Sequence, residues 1–72
     1  MITYEIIDKT GEVVSTRRER VLADIHLHFM REHLDTDCRM DEVFENAKHE
    51  VTRQTVVPYK ENEHANTRTG CA

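Results

Sequence analysis

The sequence predicts a small α+β domain in the order ββααβ, and three observations lead to this prediction. Residues 2–7 alternate as in a β-strand and are followed by Asp8-Lys9-Thr10-Gly11. Residues 16–34 carry the longest helical pattern of the chain. A second helical pattern begins at Met40, after a short polar break. A strand pair covered by a helical pair is a common solution for burying apolar faces in one small domain.

The N-terminal segment is expected to form a β-hairpin. Ile2, Tyr4 and Ile6 share one face of the first strand, and β-branched residues dominate it. Asp8 and Gly11 stand where a type I turn places an aspartate and a glycine that can adopt positive φ. Residues 12–15 then return as the second strand.

The central helix is predicted over residues 16–34. Thr16 and Glu19 have the spacing of a capping box. On a helical wheel, apolar residues occupy an arc of about 240°, which is too wide for a helix with a single neighbour. The hairpin and the second helix are expected to cover two sides of this arc, and residues left over would form a patch for another protein chain.

The second helix is predicted from a narrower stripe. Its members recur at helical spacing and comprise Met40, Val43, Phe44, Ala47 and Val51. The break before it is short, so the two helices are expected to pack antiparallel.

The C-terminal third divides into a short strand and a tail. Residues 53–57 are rich in β-branched residues and end at Pro58, which suits an edge strand. Alternatively, this segment could extend the second helix by a turn. We therefore predict one domain over residues 1–60, followed by a flexible polar tail over residues 61–72.

Composition limits the classes of function. The net charge of −4 gives no general attraction to nucleic acid, and the longest apolar runs fall short of the roughly 20 residues that span a bilayer. Two cysteines are too few for a disulfide framework. The expectation is a cytoplasmic protein with free thiols, no membrane contact, no small-molecule substrate and no cofactor.

The sequence does not favour a metal site or a catalytic centre. His26 and His33 share a helix face but lie about 10 Å apart along the axis, and a Cys-x-x-Cys pair is missing. Cys38 follows acidic residues, which would raise its pKa and reduce its reactivity. We therefore expect no enzyme. The histidines are expected to be partly buried or to lie at an interface, where mild acid would affect association.

Candidate binding residues come from the central helix and its start. Three arginines in what would be the first turn oppose the helix dipole, and they could contact phosphates or a partner's carboxylates or could be ordinary surface charge. Apolar residues in excess of what the domain can cover could form a docking patch. The predicted set is Arg17, Arg18, Arg20, Val21, Leu27, Met30 and Arg31.

The predicted function is protein binding by a small regulator or inhibitor that occludes a larger protein's surface, as accessory proteins of phages and other mobile elements do. The alternative is a regulator that binds nucleic acid through an arginine edge made of Arg17, Arg18 and Arg20, with Arg53 as a further candidate. A structural homodimer is a third possibility.

Overall fold

The computed structural model describes residues 1–60, which form four β-strands and one α-helix in the order ββαββ. The elements are β1 (Ile2–Asp8), β2 (Val13–Arg17), α1 (Arg20–His33), β3 (Cys38–Glu45) and β4 (Val51–Val57). The tail predicted for residues 61–72 lies outside the described residues. The one helix in the described range is not long and apolar enough to cross a membrane.

The four strands form one antiparallel sheet in the order β2-β1-β3-β4. β1 and β3 are the central pair, with Ile6 opposite Met40, and β2 and β4 are the edges. Each edge strand carries one bulge, at Val14 in β2 and at Val56 in β4, where a residue lacks an opposite partner.

The predicted N-terminal hairpin is present. The Asp8 carboxylate accepts hydrogen bonds from the backbone N–H of Thr10 (2.9 Å) and of Glu12 (3.0 Å), and the Gly11 N–H donates to the Asp8 carbonyl. Gly11 has φ of +89°, a conformation that L side chains rarely adopt. The hydrogen bond from the Thr10 hydroxyl does most to hold the pKa of Asp8 below its ordinary value.

The core lies between α1 and one face of the sheet. Its buried members come from the helix and the two central strands, and they are Ile6, Ala23, Leu27, Cys38 and Met40. Tyr4, Met30, Val56 and Val57 pack around them. α1 contacts β1, β2 and β3, so one sheet provides all the cover that the helix receives from the described elements.

The predicted ββααβ order is wrong, because residues 40–51 form most of β3, a turn and the first residue of β4 in place of a second helix. Met40 and Phe44 are four residues apart, a spacing that puts two side chains on one face of a helix and equally of a strand. β3 as a whole pairs with all seven residues of β1, and it supplies Met40 to the core. Tertiary pairing of this kind overrides a local helical pattern.

The turn at Asn46 separates the two strands where the prediction continued a helix. The Asn46 side-chain oxygen accepts from the backbone N–H groups of Lys48 (2.8 Å) and Glu50 (3.0 Å). His49 has φ of +64°, which is left-handed. Asparagine side chains stabilise turns in this way and compete with helix formation.

The start of the central helix also differs from its prediction. Thr16 lies in β2, α1 begins at Arg20, and Glu19 stands at the N-cap without a side-chain capping bond. The helix ends at His33, and Asp35 beyond the C-cap Leu34 is left-handed with φ of +49°. The Thr36 N–H then donates to the Met30 carbonyl (3.0 Å). Pairing of β2 with β1 therefore determines where the helix begins.

Candidate protein-binding surface

An uncovered row of apolar side chains runs along the outer side of α1 and the flank of α1 that borders β2. We call it the apolar stripe and define it as Val21, Leu22, Ile25 and Phe29. Val21 is 66% exposed, Ile25 61%, Phe29 47% and Leu22 45%. Scattered apolar residues are normal on a protein surface, but a contiguous row on one helix is a candidate interaction surface.

The stripe has a top and a flank. At about 100° per residue, Val21 and Ile25 point away from the sheet, whereas Leu22 and Phe29 turn toward the β2 side. The flank borders an open groove of about 320 Å³, lined by Arg17, Leu22, Ile25, His26 and Phe29. The Phe29 ring also lies 5.1 Å from the His33 ring, centroid to centroid. The groove therefore joins the helix flank to the β2 edge.

The predicted arginine cluster lies at one end of this surface. Arg17 ends β2, Arg18 lies in the connection, and Arg20 begins α1; all three are exposed. The Arg20 guanidinium is 3.8 Å from the Asp24 carboxylate, one turn along the helix. The cluster gives the stripe a basic end.

Three residues of the predicted binding set lie elsewhere. Leu27 is only 5% exposed and belongs to the core, and Met30 packs against it. The Arg31 guanidinium donates to the carbonyls of Cys38 (2.8 Å) and Pro58 (2.7 Å), so it joins the helix to the start of β3 and the end of β4. In this fold these side chains hold the domain together.

The sheet face away from α1, which we call the open face, carries a network of charges around Asp41. Asp41 is 1% exposed. Its carboxylate accepts from Arg39 Nε (3.1 Å) and Nη2 (3.3 Å), from Arg53 Nη1 (3.1 Å) and from the Thr55 hydroxyl (2.8 Å). Arg53 also donates to Glu5 (2.7 Å). Arg53 is therefore engaged in the fold and does not extend the arginine edge.

Hydrogen bonding determines the protonation state of this network. Burial by itself raises the pKa of Asp41, but the hydrogen bonds from Arg39, Thr55 and Arg53 outweigh it and hold the pKa below its ordinary value. The same contacts raise the pKa of both arginines, led by the Asp41 bond for Arg39 and the Glu5 bond for Arg53. The open face thus stays charged and internally paired at neutral pH.

The histidine and cysteine side chains are the remaining candidates for a chemical role. Within residues 1–60, no three His, Cys, Asp or Glu side chains come close enough together to hold a metal ion. Cys38 is fully buried in the core, where burial, followed by the nearby charges of Asp8 and Asp37, raises the pKa of its thiol. The thiol is therefore shielded from solvent.

Sequence reasoning missed Leu22, Ile25 and Phe29 as surface residues. On the helical wheel these three residues belong to the same wide apolar arc as Leu27 and Met30, but they occupy the opposite half of that arc. The wheel does not show which half of the arc faces the sheet. Once the sheet covers the half centred on Ala23 and Leu27, the opposite half must be exposed.

Comparison of the chain with known proteins identified no relative. No family model matches the chain, and no curated protein or solved structure shows significant similarity to it.

Proposed function

We propose that this protein is a protein-binding module that inserts the apolar stripe of α1 into a groove of a larger protein and thereby occludes that surface. The observation that carries the proposal is the exposure of Val21, Ile25 and Phe29 at four-residue spacing on one helix. Amphipathic helices bind apolar grooves through anchors at this kind of spacing. A cytoplasmic regulator or inhibitor would act in this way.

The rest of the molecule supports this choice of surface. The open face pairs its charges internally around Asp41, which leaves the stripe as the contiguous apolar helix surface of the described residues. Arg18 and Arg20 add positive charge beside its N-terminal end. A fitting partner would present an apolar groove with carboxylates at the rim that meets these arginines.

A charge placed on the stripe tests the proposal. The immobilised chain captures its partner from a lysate of the organism that encodes it, and calorimetry then measures the affinity of the purified pair. Ile25→Asp should weaken binding at least tenfold, because a buried carboxylate would replace an apolar anchor. Ala47→Asp is the matched control, since it adds the same charge to the exposed turn between β3 and β4.

Two results would overturn the proposal. One is equal affinity of the parental chain and Ile25→Asp for every captured protein. The other is binding of a DNA or RNA duplex that weakens steeply with salt and does not change in Ile25→Asp, which would assign the function to the arginine edge.

A further inference from the structure

We propose that the groove between α1 and the β2 edge binds an acidic, apolar peptide segment of the partner protein, with a carboxylate of that segment bound by Arg17 and His26. This inference rests on the proposed function, because it assigns the chemistry of the partner at the same surface. The observations that carry it are the residues that line the groove and the donor groups there that the described residues leave unpaired.

Arg17 brings a positive charge to the groove. It lies opposite Tyr4 in the β2–β1 pair, and Tyr4 packs against the core, so both side chains are on the face of the sheet that α1 covers. Arg17 is exposed, and its guanidinium makes no ion pair or hydrogen bond with the described residues. A planar guanidinium with free N–H donors can bind a carboxylate through two parallel hydrogen bonds.

His26 supplies a second donor in the wall of the groove. Its Nδ1 atom is buried and has no hydrogen-bond partner among the described residues. In a neutral imidazole one ring nitrogen carries the proton and the other is an acceptor. Buried N–H groups without an acceptor are rarer in proteins than under-satisfied acceptors, which places the proton on Nε2. The side chain as a whole is only half-buried, so the Nε2–H group can donate to a bound carboxylate.

The other residues that line the groove are apolar, and they are Leu22, Ile25 and Phe29. No carboxylate is among the lining residues, so the two donors stand beside apolar walls without an acceptor. This composition complements a segment in which an acidic residue is next to a large apolar one. A nucleic-acid backbone presents phosphates without an apolar side chain to cover these walls. Residues 61–72 contain two glutamates but no large apolar residue, so this chain's own C-terminal segment is a poorer match.

Selection of a random peptide library, displayed on phage, against the immobilised full chain tests the proposal. The enriched peptides should have an aspartate or glutamate next to a large apolar residue. Fluorescence anisotropy then measures the affinity of the tightest peptide, and Arg17→Gln should weaken it about tenfold through loss of the paired hydrogen bonds. Arg18→Gln is the matched control. It removes the same charge from the next residue, which is exposed but does not line the groove, and should change the affinity less than about threefold.

A double-mutant cycle tests the contact itself. Replacing the acidic residue of the peptide by its amide should weaken binding to the parental chain about tenfold but binding to Arg17→Gln less than about threefold, because both changes remove the same contact. His26→Phe keeps an aromatic ring without a donor, and it should reduce the preference for the acidic peptide over its amide about threefold.

Four results would overturn the proposal. The first is enrichment of peptides without an acidic residue, or of no peptide. The second is an equal loss of affinity in Arg17→Gln and Arg18→Gln, which would show a general attraction to the arginine cluster. The third is an unchanged preference for the acidic peptide in both Arg17→Gln and His26→Phe. The fourth is a dimer in sedimentation that Arg17→Gln abolishes, which would assign the groove to a second copy. In each case Ile25→Asp still decides whether the stripe binds a partner, so the two proposals can fail separately.

Discussion

Replacing Asp41 by asparagine removes the charge at the centre of the open face and should destabilise the domain by about 2–3 kcal/mol. The carboxylate accepts four hydrogen bonds, three of them from arginines. Hydrogen bonds to charged groups contribute about 1.5–3 kcal/mol each. The Arg39 and Arg53 side chains are 32% and 44% exposed, so in the variant water replaces many of the hydrogen bonds that these arginines lose. The asparagine side-chain oxygen still accepts some of the others.

Urea unfolding followed by far-ultraviolet circular dichroism measures this change. For a domain of this size the urea dependence is about 1 kcal/mol per molar, so the midpoint should fall by about 2–3 M. Glu42→Gln is the matched control. Glu42 is the next residue in β3, its carboxylate accepts one long bond from Gln54 (3.3 Å), and its loss should cost less than about 0.5 kcal/mol.

The pH dependence supplies an independent check with a defined sign. The folded-state pKa of Asp41 lies below its ordinary value, so ionisation of this group contributes stability above the unfolded-state pKa of about 3.9. That stability is lost as the pH falls through the folded-state pKa. The gap between the parental chain and Asp41→Asn should therefore close below about pH 4. A midpoint unchanged by Asp41→Asn at neutral pH, or a gap that widens in acid, would refute the reasoning.

Three further predictions test the orientation of α1, the burial of the Cys38 thiol and the hydrogen bond between Tyr59 and Asp8. Leu27→Ala should lower the free energy of unfolding by about 3 kcal/mol because the Leu27 side chain is in the core, whereas Phe29→Ala should lower it by less than about 1 kcal/mol because Phe29 is half exposed. Equal losses in urea unfolding would contradict the orientation of α1. In a Cys71→Ser background, iodoacetamide should alkylate Cys38 about a hundredfold more slowly in the folded chain than in urea, and equal rates by mass spectrometry would show that the thiol is accessible. Tyr59→Phe should lower the unfolding free energy by about 1 kcal/mol, since its hydroxyl donates to the Asp8 carbonyl at 2.6 Å, and an unchanged midpoint would mean that this bond adds nothing.

Local sequence patterns were sufficient for the elements whose determinants are neighbours in the chain. The hairpin turn follows from residues 8–12, where the Asp8 carboxylate accepts from the backbone N–H groups of Thr10 and Glu12 and Gly11 adopts positive φ. The central helix follows from its apolar periodicity, although its first turn was placed too early. The excess of apolar residues on that helix was also visible, and the exposed stripe now accounts for it.

The tertiary structure decided the features that depend on residues far apart in sequence. Whether Met40 and Phe44 belong to a helix or to a strand depends on β1, more than thirty residues earlier, because their spacing fits both. Which half of the α1 arc is exposed depends on where the sheet lies. Burial of Asp41 depends on Arg53 and Thr55 of β4, which meet it across the strand pair and add to the bonds from Arg39 of its own strand. Sequence alone thus determined that this chain has more apolar helix surface than one neighbour can cover. The packing of the sheet decided which residues stay exposed, because burial depends on the direction in which a side chain points as well as on composition. The exposed residues are Val21, Leu22, Ile25 and Phe29.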